Sequence, residues 1–143
     1  MIYQRLTRQD DRDIPRILSV YRLPAVSRFI SIDEANYWRY VTASDHVFFY
    51  KIFDGETPVA AMHCETDGKT LYPAIVVFPE HQRKGIAARA LTDLQEGRLP
   101  LDFDRIRVSI DKSNTASLRL FESAGFVCIG REEELLEYEY AKC

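Results

Sequence analysis

The sequence predicts a mixed α/β domain of the α+β type, with a mostly antiparallel central sheet and about four helices. Two observations carry this. Three apolar runs between residues 46 and 77 are separated by Asp54-Gly55 and Asp67-Gly68, which are hairpin turn signals. Further on, helix-period segments at 85–96 and 113–124 are each followed by a short strand pattern. Helices mixed with an early antiparallel meander and a later crossover point to a sheet that turns partly parallel. A third observation sets the scale: the 143 residues hold no linker, repeat or low-complexity block, so residues 1–143 read as one domain.

The elements follow in order. Residues 2–6 (IYQRL) read as a first strand. Asp10, Asp11 and Asp13 suit a helix N-terminus, and Ile14, Ile17, Leu18 and Tyr21 repeat at i, i+3, i+4, i+7. Pro15 fits the first turn of that helix, and Pro24 lies beyond its end. Ser31 and Glu34 have capping-box spacing, opening a helix to about Thr42 that carries Tyr37, Trp38 and Tyr40. Strands are expected at 46–53, 58–65 and 70–77, with Pro73 implying an edge or a bulge in the last. A helix at 85–96, a half-buried strand at 105–110 and a helix at 113–124 closed by Gly125 come next. Two strands, 126–129 and 135–140, finish the chain.

Composition narrows the function. Hydrophobic residues are 46% and charged residues 29%, ordinary values for a globular domain. A net charge of −3 disfavours generic binding to nucleic acid or anionic membranes. The longest uncharged run, Thr70–Pro79, is half the length of a membrane-spanning helix, and the N-terminus lacks a signal peptide's apolar stretch. Cys64, Cys128 and Cys143 are too few and too scattered for a disulfide framework. Cys64 and Cys128 sit in apolar runs and are expected as small buried hydrophobes in a cytoplasmic protein.

The chemistry is concentrated in Ala74–Leu91, AIVVFPEHQRKGIAARAL. A β-branched strand ends at Pro79, a polar loop follows, and Gly85 opens a helix. The unpaired N–H groups and dipole of a helix N-terminus attract an anion, and a glycine there permits close approach. Arg83, Lys84 and Arg89 add positive charge with no acidic residue between Gln82 and Leu91. The combination asks for a phosphate or pyrophosphate. Neither GxxxxGK[ST] nor a GxGxxG after a strand is present, which excludes the nucleoside-triphosphate loop and the dinucleotide fingerprint.

Gln82-Arg-Lys-Gly85-Ile-Ala87 resembles the Q/R-x-x-G-x-G/A motif of the GNAT acyltransferase superfamily. About 30 residues on, the run from Asn114 through Ser117 and Phe121 to Gly125-Phe126 is similar to that family's N-x-x-[A/S]-x-x-x-[Y/F]-x-x-x-G-F signature. The element order agrees over nearly the whole chain. The resemblance implies a GNAT-like fold that binds acetyl-CoA as cosubstrate, with no metal, in a V-shaped gap between the strand before the loop and the strand after the helix. By position, the N–H groups of Arg83, Lys84, Gly85, Ile86, Ala87 and Ala88 would hold the pyrophosphate, and Gln82 and Phe121 would also belong to the cofactor site. The backbone of Val76, Val77 and Phe78 would pair with pantetheine and polarise the thioester. Asn114 would hydrogen-bond the pantetheine arm or serve the acceptor side, with a helix-capping role as its alternative.

Two departures are visible. Phe121 stands where many relatives carry a tyrosine that protonates the leaving thiolate, and the strand 70–77 has no carboxylate to act as base. His63, Glu65 and Tyr72 are the nearest candidates. Simple alternation puts His63 and Glu65 on one face, where they could act together; a water relay is the alternative. Arg28, Phe29, Tyr37, Trp38 and Tyr40 could form an acceptor pocket or pack as core. Glu132, Glu133, Glu134, Glu137 and Glu139 are expected as a charged edge strand. The expected activity is transfer of an acetyl group to a primary amine of a small molecule or peptide, by a monomer or homodimer. A non-catalytic acyl-CoA sensor is the rival that Phe121 favours.

Overall fold

A computed structural model describes residues 1–142, and Cys143 lies outside the described residues. The chain runs β1 (Ile2–Arg5), α1 (Ile14–Tyr21), α2 (Pro24–Ser27), α3 (Tyr37–Ala43), β2 (Val47–Asp54), β3 (Thr57–Asp67) and β4 (Thr70–Val77). A 3-10 turn at Pro79–His81 leads to α4 (Ile86–Gln95), β5 (Arg105–Asp111), α5 (Thr115–Ser123), β6 (Val127–Glu132) and β7 (Leu135–Ala141). The strands form one sheet in the order β1-β2-β3-β4-β5-β7-β6. Every neighbouring pair is antiparallel except β4 with β5.

The meander β2–β4 matches expectation because both turns are two-residue loops, with Asp54 opposite Thr57 and Asp67 opposite Thr70. Period-2 alternation then sorts the side chains. Tyr50, Ile52, Met62, Cys64 and Leu71 point to one face, where α4 supplies Ala90, Leu91 and Leu94 and α5 supplies Phe121. Val47, Phe49, Ala61 and Val76 point to the other, under Ile17 and Val20 of α1 and Trp38 and Val41 of α3. This second core stops at β4. Beyond it, the same side of β5 and β7 presents Arg107, Ser109, Glu137 and Glu139, polar residues that do not join either core.

Several elements differ from expectation for identifiable reasons. The capping box at Ser31 and Glu34 does not form, because Glu34 pairs with Arg22 and Asp33 accepts from the Ala35 N–H and the Asn36 side chain. The helix therefore starts at Tyr37. Pro24 opens a short helix of its own, so there are five α-helices among the described residues. Asp11 and Asp13 precede α1 but bind Lys51 of β2, at 2.8 and 2.9 Å, rather than capping the helix. Pro73 makes no bulge: β4 stays in register with β3 throughout, and the proline lies where β4 has become an edge toward β5.

The acidic tail is corrected as well. β7, with Glu137 and Glu139, lies inside the sheet between β5 and β6, and β6 is the edge. A strand at the end of the chain has returned to pair with β5, a long-range choice that local patterning does not encode. Cys128 consequently lies on the exposed edge strand instead of in the core, whereas Cys64 is fully buried.

Candidate functional site

The two parallel strands at the centre of the sheet pair only at their beginnings. Thr70 is opposite Arg105 and Leu71 opposite Ile106; beyond these pairs β4 and β5 diverge. The divergence opens a cleft of about 600 Å3. Pro73–Val77 line one wall and Val108–Asp111 the other, with the start of α4 and the inner side of α5 closing the far end. Along the wall that has lost its partner strand, backbone N–H and C=O groups of β4 are free to pair with an extended ligand, as a sheet edge does.

The loop at the cleft's end is shaped for an anion. Arg83 and Gly85 both adopt left-handed backbone, with φ of 64° and 76°. Residues of alternating backbone hand curl successive N–H groups toward one point, a concavity that binds anions. Gly85 is also the residue before the ten-residue α4, and the helical ladder begins at the Arg89 N–H bonding the Gly85 carbonyl, so earlier N–H groups of the first turn point outward. A Cβ built on Gly85 would meet nothing within 4 Å. The glycine is therefore demanded by its φ, and the space over it is open. Arg83 and Lys84 in the nest are exposed, and Arg89 is exposed in the first turn of α4 but lies outside the cleft lining, close enough to Tyr3 of β1 to act on its phenol. Pantetheine and pyrophosphate fit what is present: an unpaired strand edge leading into an electropositive backbone concavity.

The opposite side of the sheet holds a side-chain network. His63 and Glu65 do share a face, and His63 Nε2 lies 2.8 Å from Glu65 Oε1. The same carboxylate oxygen accepts the Tyr40 hydroxyl at 2.8 Å. On the other side of the imidazole, Nδ1 is 2.5 Å from the Tyr37 hydroxyl. Burial pushes the Glu65 carboxyl up, but the hydrogen bonds from His63 and Tyr40 outweigh it and hold it below the usual range. Burial drives the Tyr37 phenol well up, with the neighbouring Tyr21 and Glu65 adding to the effect. His63 is opposite Ala74 in the sheet and Glu65 opposite Tyr72, so the network sits on β3 beside the β4 wall of the cleft. Extending the β4–β5 register, Ala74 comes level with Ser109 across the gap, and Ser109 donates to both Glu137 oxygens at 2.7 and 2.8 Å.

The expected site residues divide accordingly. Val76, Val77, Gln82, Arg83, Gly85, Ile86, Ala87, Ala88, Asn114 and Phe121 all line the cleft. Phe78 stands apart: its N–H bonds Val59 and its carbonyl accepts from His81, both at 2.9 Å, leaving no backbone group for pantetheine. The side chain of Lys84 is exposed beside the loop and outside the cleft lining. Asn114 caps α5, its Oδ1 accepting the Ser117 N–H at 3.2 Å, while it also faces the cleft. Phe121 is 7% exposed and packs edge-on against Phe126 at 5.1 Å. Tyr72 is exposed, next to the network but outside its hydrogen bonds. Of the aromatic group before β2, Trp38 is core, whereas Arg28 and Phe29 line the cleft. Sequence reading missed two pairings, Tyr37 with His63 and Ser109 with Glu137. Nothing local announces either, since the partners are 26 and 28 positions apart.

A splayed parallel pair ending in an anion nest defines a class of protein, one that offers a strand edge and a backbone concavity to an extended, phosphate-bearing ligand. The sequence matches the acetyltransferase (GNAT) family over residues 14–126, and the chain belongs to that family. Members are N-acetyltransferases that use acetyl-CoA as cosubstrate. No curated protein matches the sequence. Among solved structures, the fold is similar to Campylobacter jejuni N-acetyltransferase PseH in complex with acetyl coenzyme A, at 11% identity and a TM-score of 0.79 over 99% of this chain and 100% of that one. It is also similar to Vibrio cholerae spermidine N-acetyltransferase in complex with CoA and spermine, at 14% identity and a TM-score of 0.80 over 98% and 94%. Legionella pneumophila aminoglycoside N(6')acetyltransferase gives 12% and 0.79 over 98% and 91%. No helix among the described residues is long and apolar enough to cross a membrane.

Proposed function

We propose that this chain is a single-domain enzyme moving an acetyl group from acetyl-CoA to a primary amine of a small molecule or peptide, by direct attack of the amine. The observation that carries the reading is the β4–β5 splay, which leads from the Arg83–Gly85 nest to a wall flanked by His63 and Ser109. Bound acetyl-CoA supplies an activated acetyl group. The N–H groups of Arg83–Ala88 hold its pyrophosphate, and the backbone of Val77, which is out of phase with the β3 ladder, receives the pantetheine arm beside Val76. A β4 N–H directed into the cleft stabilises the developing oxyanion, which typically is worth a few kcal/mol. Asn114 orients the arm with the part of its side chain not used in capping.

Direct attack is favoured over an acyl-enzyme by the two cysteines among the described residues. Cys64 is fully buried and its thiol is pushed up to about 12 by that burial, so it forms no thiolate. Cys128 is on β6, separated from the cleft wall of β5 by β7. The network around His63 and Glu65 supplies proton acceptance. Phe121 offers no proton to the leaving group, and a thiolate leaves without one because its conjugate acid has a pKa only about 1–2 units above neutrality. Two of the similar structures act, by their names, on spermidine and an aminoglycoside, both amine-bearing molecules. Calorimetric titration with acetyl-CoA, ADP and free pantetheine tests the site. Micromolar binding that needs both halves of the cofactor is expected; equal binding of ADP alone would overturn the pantetheine assignment.

A further inference from the structure

The network's hydrogen bonds determine who can receive the amine's proton, given the acyl-transfer reading above. Glu65 is ionised, so it accepts, and His63 must donate to it from Nε2. In the neutral imidazole the lone pair is then on Nδ1, 2.5 Å from the Tyr37 oxygen. Tyr37 keeps its phenolic proton, so its O–H donates to that lone pair. Both ring nitrogens are thus occupied, and an incoming amine cannot reach the imidazole itself. The Tyr37 oxygen retains a lone pair. Its ring belongs to the same apolar cluster as Val26 and Ile30, which line the cleft, and it leans over His63, whose neighbour Ala74 forms the cleft wall.

We infer that Tyr37 is the group through which the acceptor amine loses its proton. The amine nitrogen forms the new C–N bond as the C–S bond breaks, its electron pair leaving on sulfur. The amine proton passes to the Tyr37 oxygen while the Tyr37 proton passes to His63 Nδ1. The resulting imidazolium is held by the Glu65 carboxylate, which Tyr40 fixes in place. The logic is that of an oriented nucleophile–base–carboxylate triad, with the tyrosine conducting a proton instead of attacking. The other groups facing the pair are Tyr21 of α1, whose hydroxyl is a further hydrogen-bond partner of the Tyr37 hydroxyl and whose ring is 6.4 Å from that of Tyr37, Phe49 of β2, and Ala74 and Tyr72 of β4; His46 lies beyond Tyr40. None of these adds a second base.

The test is thiol release at saturating acetyl-CoA and amine. Tyr37→Phe should lower kcat about 100-fold with the KM for acetyl-CoA unchanged, within the usual range for a lost proton-transfer partner. A fall in kcat of the same size is expected in His63→Gln. Because the two act as one unit, the double variant should be no slower than either alone. Full kcat in Tyr37→Phe, or losses that multiply in the double variant, would overturn the relay. Should Tyr37→Phe fail to fold, the wild-type proton inventory in mixed H2O and D2O decides: two protons in flight bow it, and a straight line overturns the relay. A wild-type chain that binds acetyl-CoA but releases no thiol with any amine overturns the acyl-transfer reading itself.

Discussion

The two halves of the cleft are built from different materials. The cofactor half is backbone: a strand edge that lost its partner after Leu71, a nest at Arg83 and Gly85, and the first turn of α4. The proposed acceptor half is side chains: Tyr37, Tyr40, His63 and Glu65 beside the β4 wall, Ser109 and Glu137 on the other flank. Backbone sites tolerate many side-chain changes, because their groups are present in every residue. Side-chain networks fail when one member is lost. The anion site should therefore break only where a substitution obstructs the backbone, whereas the acceptor side should break at almost any member.

The largest expected effect is Gly85→Glu, which sets a carboxylate facing the pyrophosphate. Like-charge juxtaposition costs several kcal/mol, so acetyl-CoA affinity should fall more than about 100-fold by calorimetry. Gly85→Ala sharpens the point. Its Cβ meets nothing, so only the left-handed backbone is penalised, about 1–2 kcal/mol of stability with far less loss of binding. Unchanged affinity in Gly85→Glu would remove the anion site from this loop. His63→Gln comes next: kcat should drop about 100-fold or more while the Kd for acetyl-CoA stays within about twofold, separating the two halves. A parallel loss of cofactor affinity would contradict that separation.

A smaller effect concerns pH. The folded-state pKa of Glu65 is depressed, so its contribution to stability is present above its unfolded value, about 4.3, and is lost as pH falls through the lower folded value. The Tm difference between the wild type and Glu65→Gln should be full at pH 7 and shrink as pH falls below about 4; a constant difference would show that the carboxylate's charge does not tie α3 to β3. The smallest effect is Phe121→Tyr. The added hydroxyl faces the cleft from a ring already seated against Phe126, so acetyl-CoA affinity should change by less than about threefold. Abolished binding would mean that the ring has no room for an oxygen.

The same division governs what could be read from the sequence. The anion loop was legible because strand, polar loop, glycine and helix are contiguous from Ala74 to Leu91. The meander was legible because its turns are local. The left-handed Arg83 was not, since nothing about an arginine announces positive φ. The placement of β7 inside the sheet, which turns Glu137 from an edge charge into a residue facing Ser109, depends on pairing with a residue 28 positions earlier. Glu34 shows the same limit at short range: its capping partner was in sequence, but Arg22 from the preceding helix end captured it. His63 and Glu65 could be placed on one face by alternation, whereas Tyr37 reached them only through the docking of α3.

The most direct test of the whole account is release of free CoA thiol from acetyl-CoA by the wild-type chain, with and without a panel of primary amines. The account predicts release that depends on the amine and saturates with it. Tight binding of acetyl-CoA with no amine-dependent release would contradict it and leave a protein that binds the acyl carrier without transferring its acyl group.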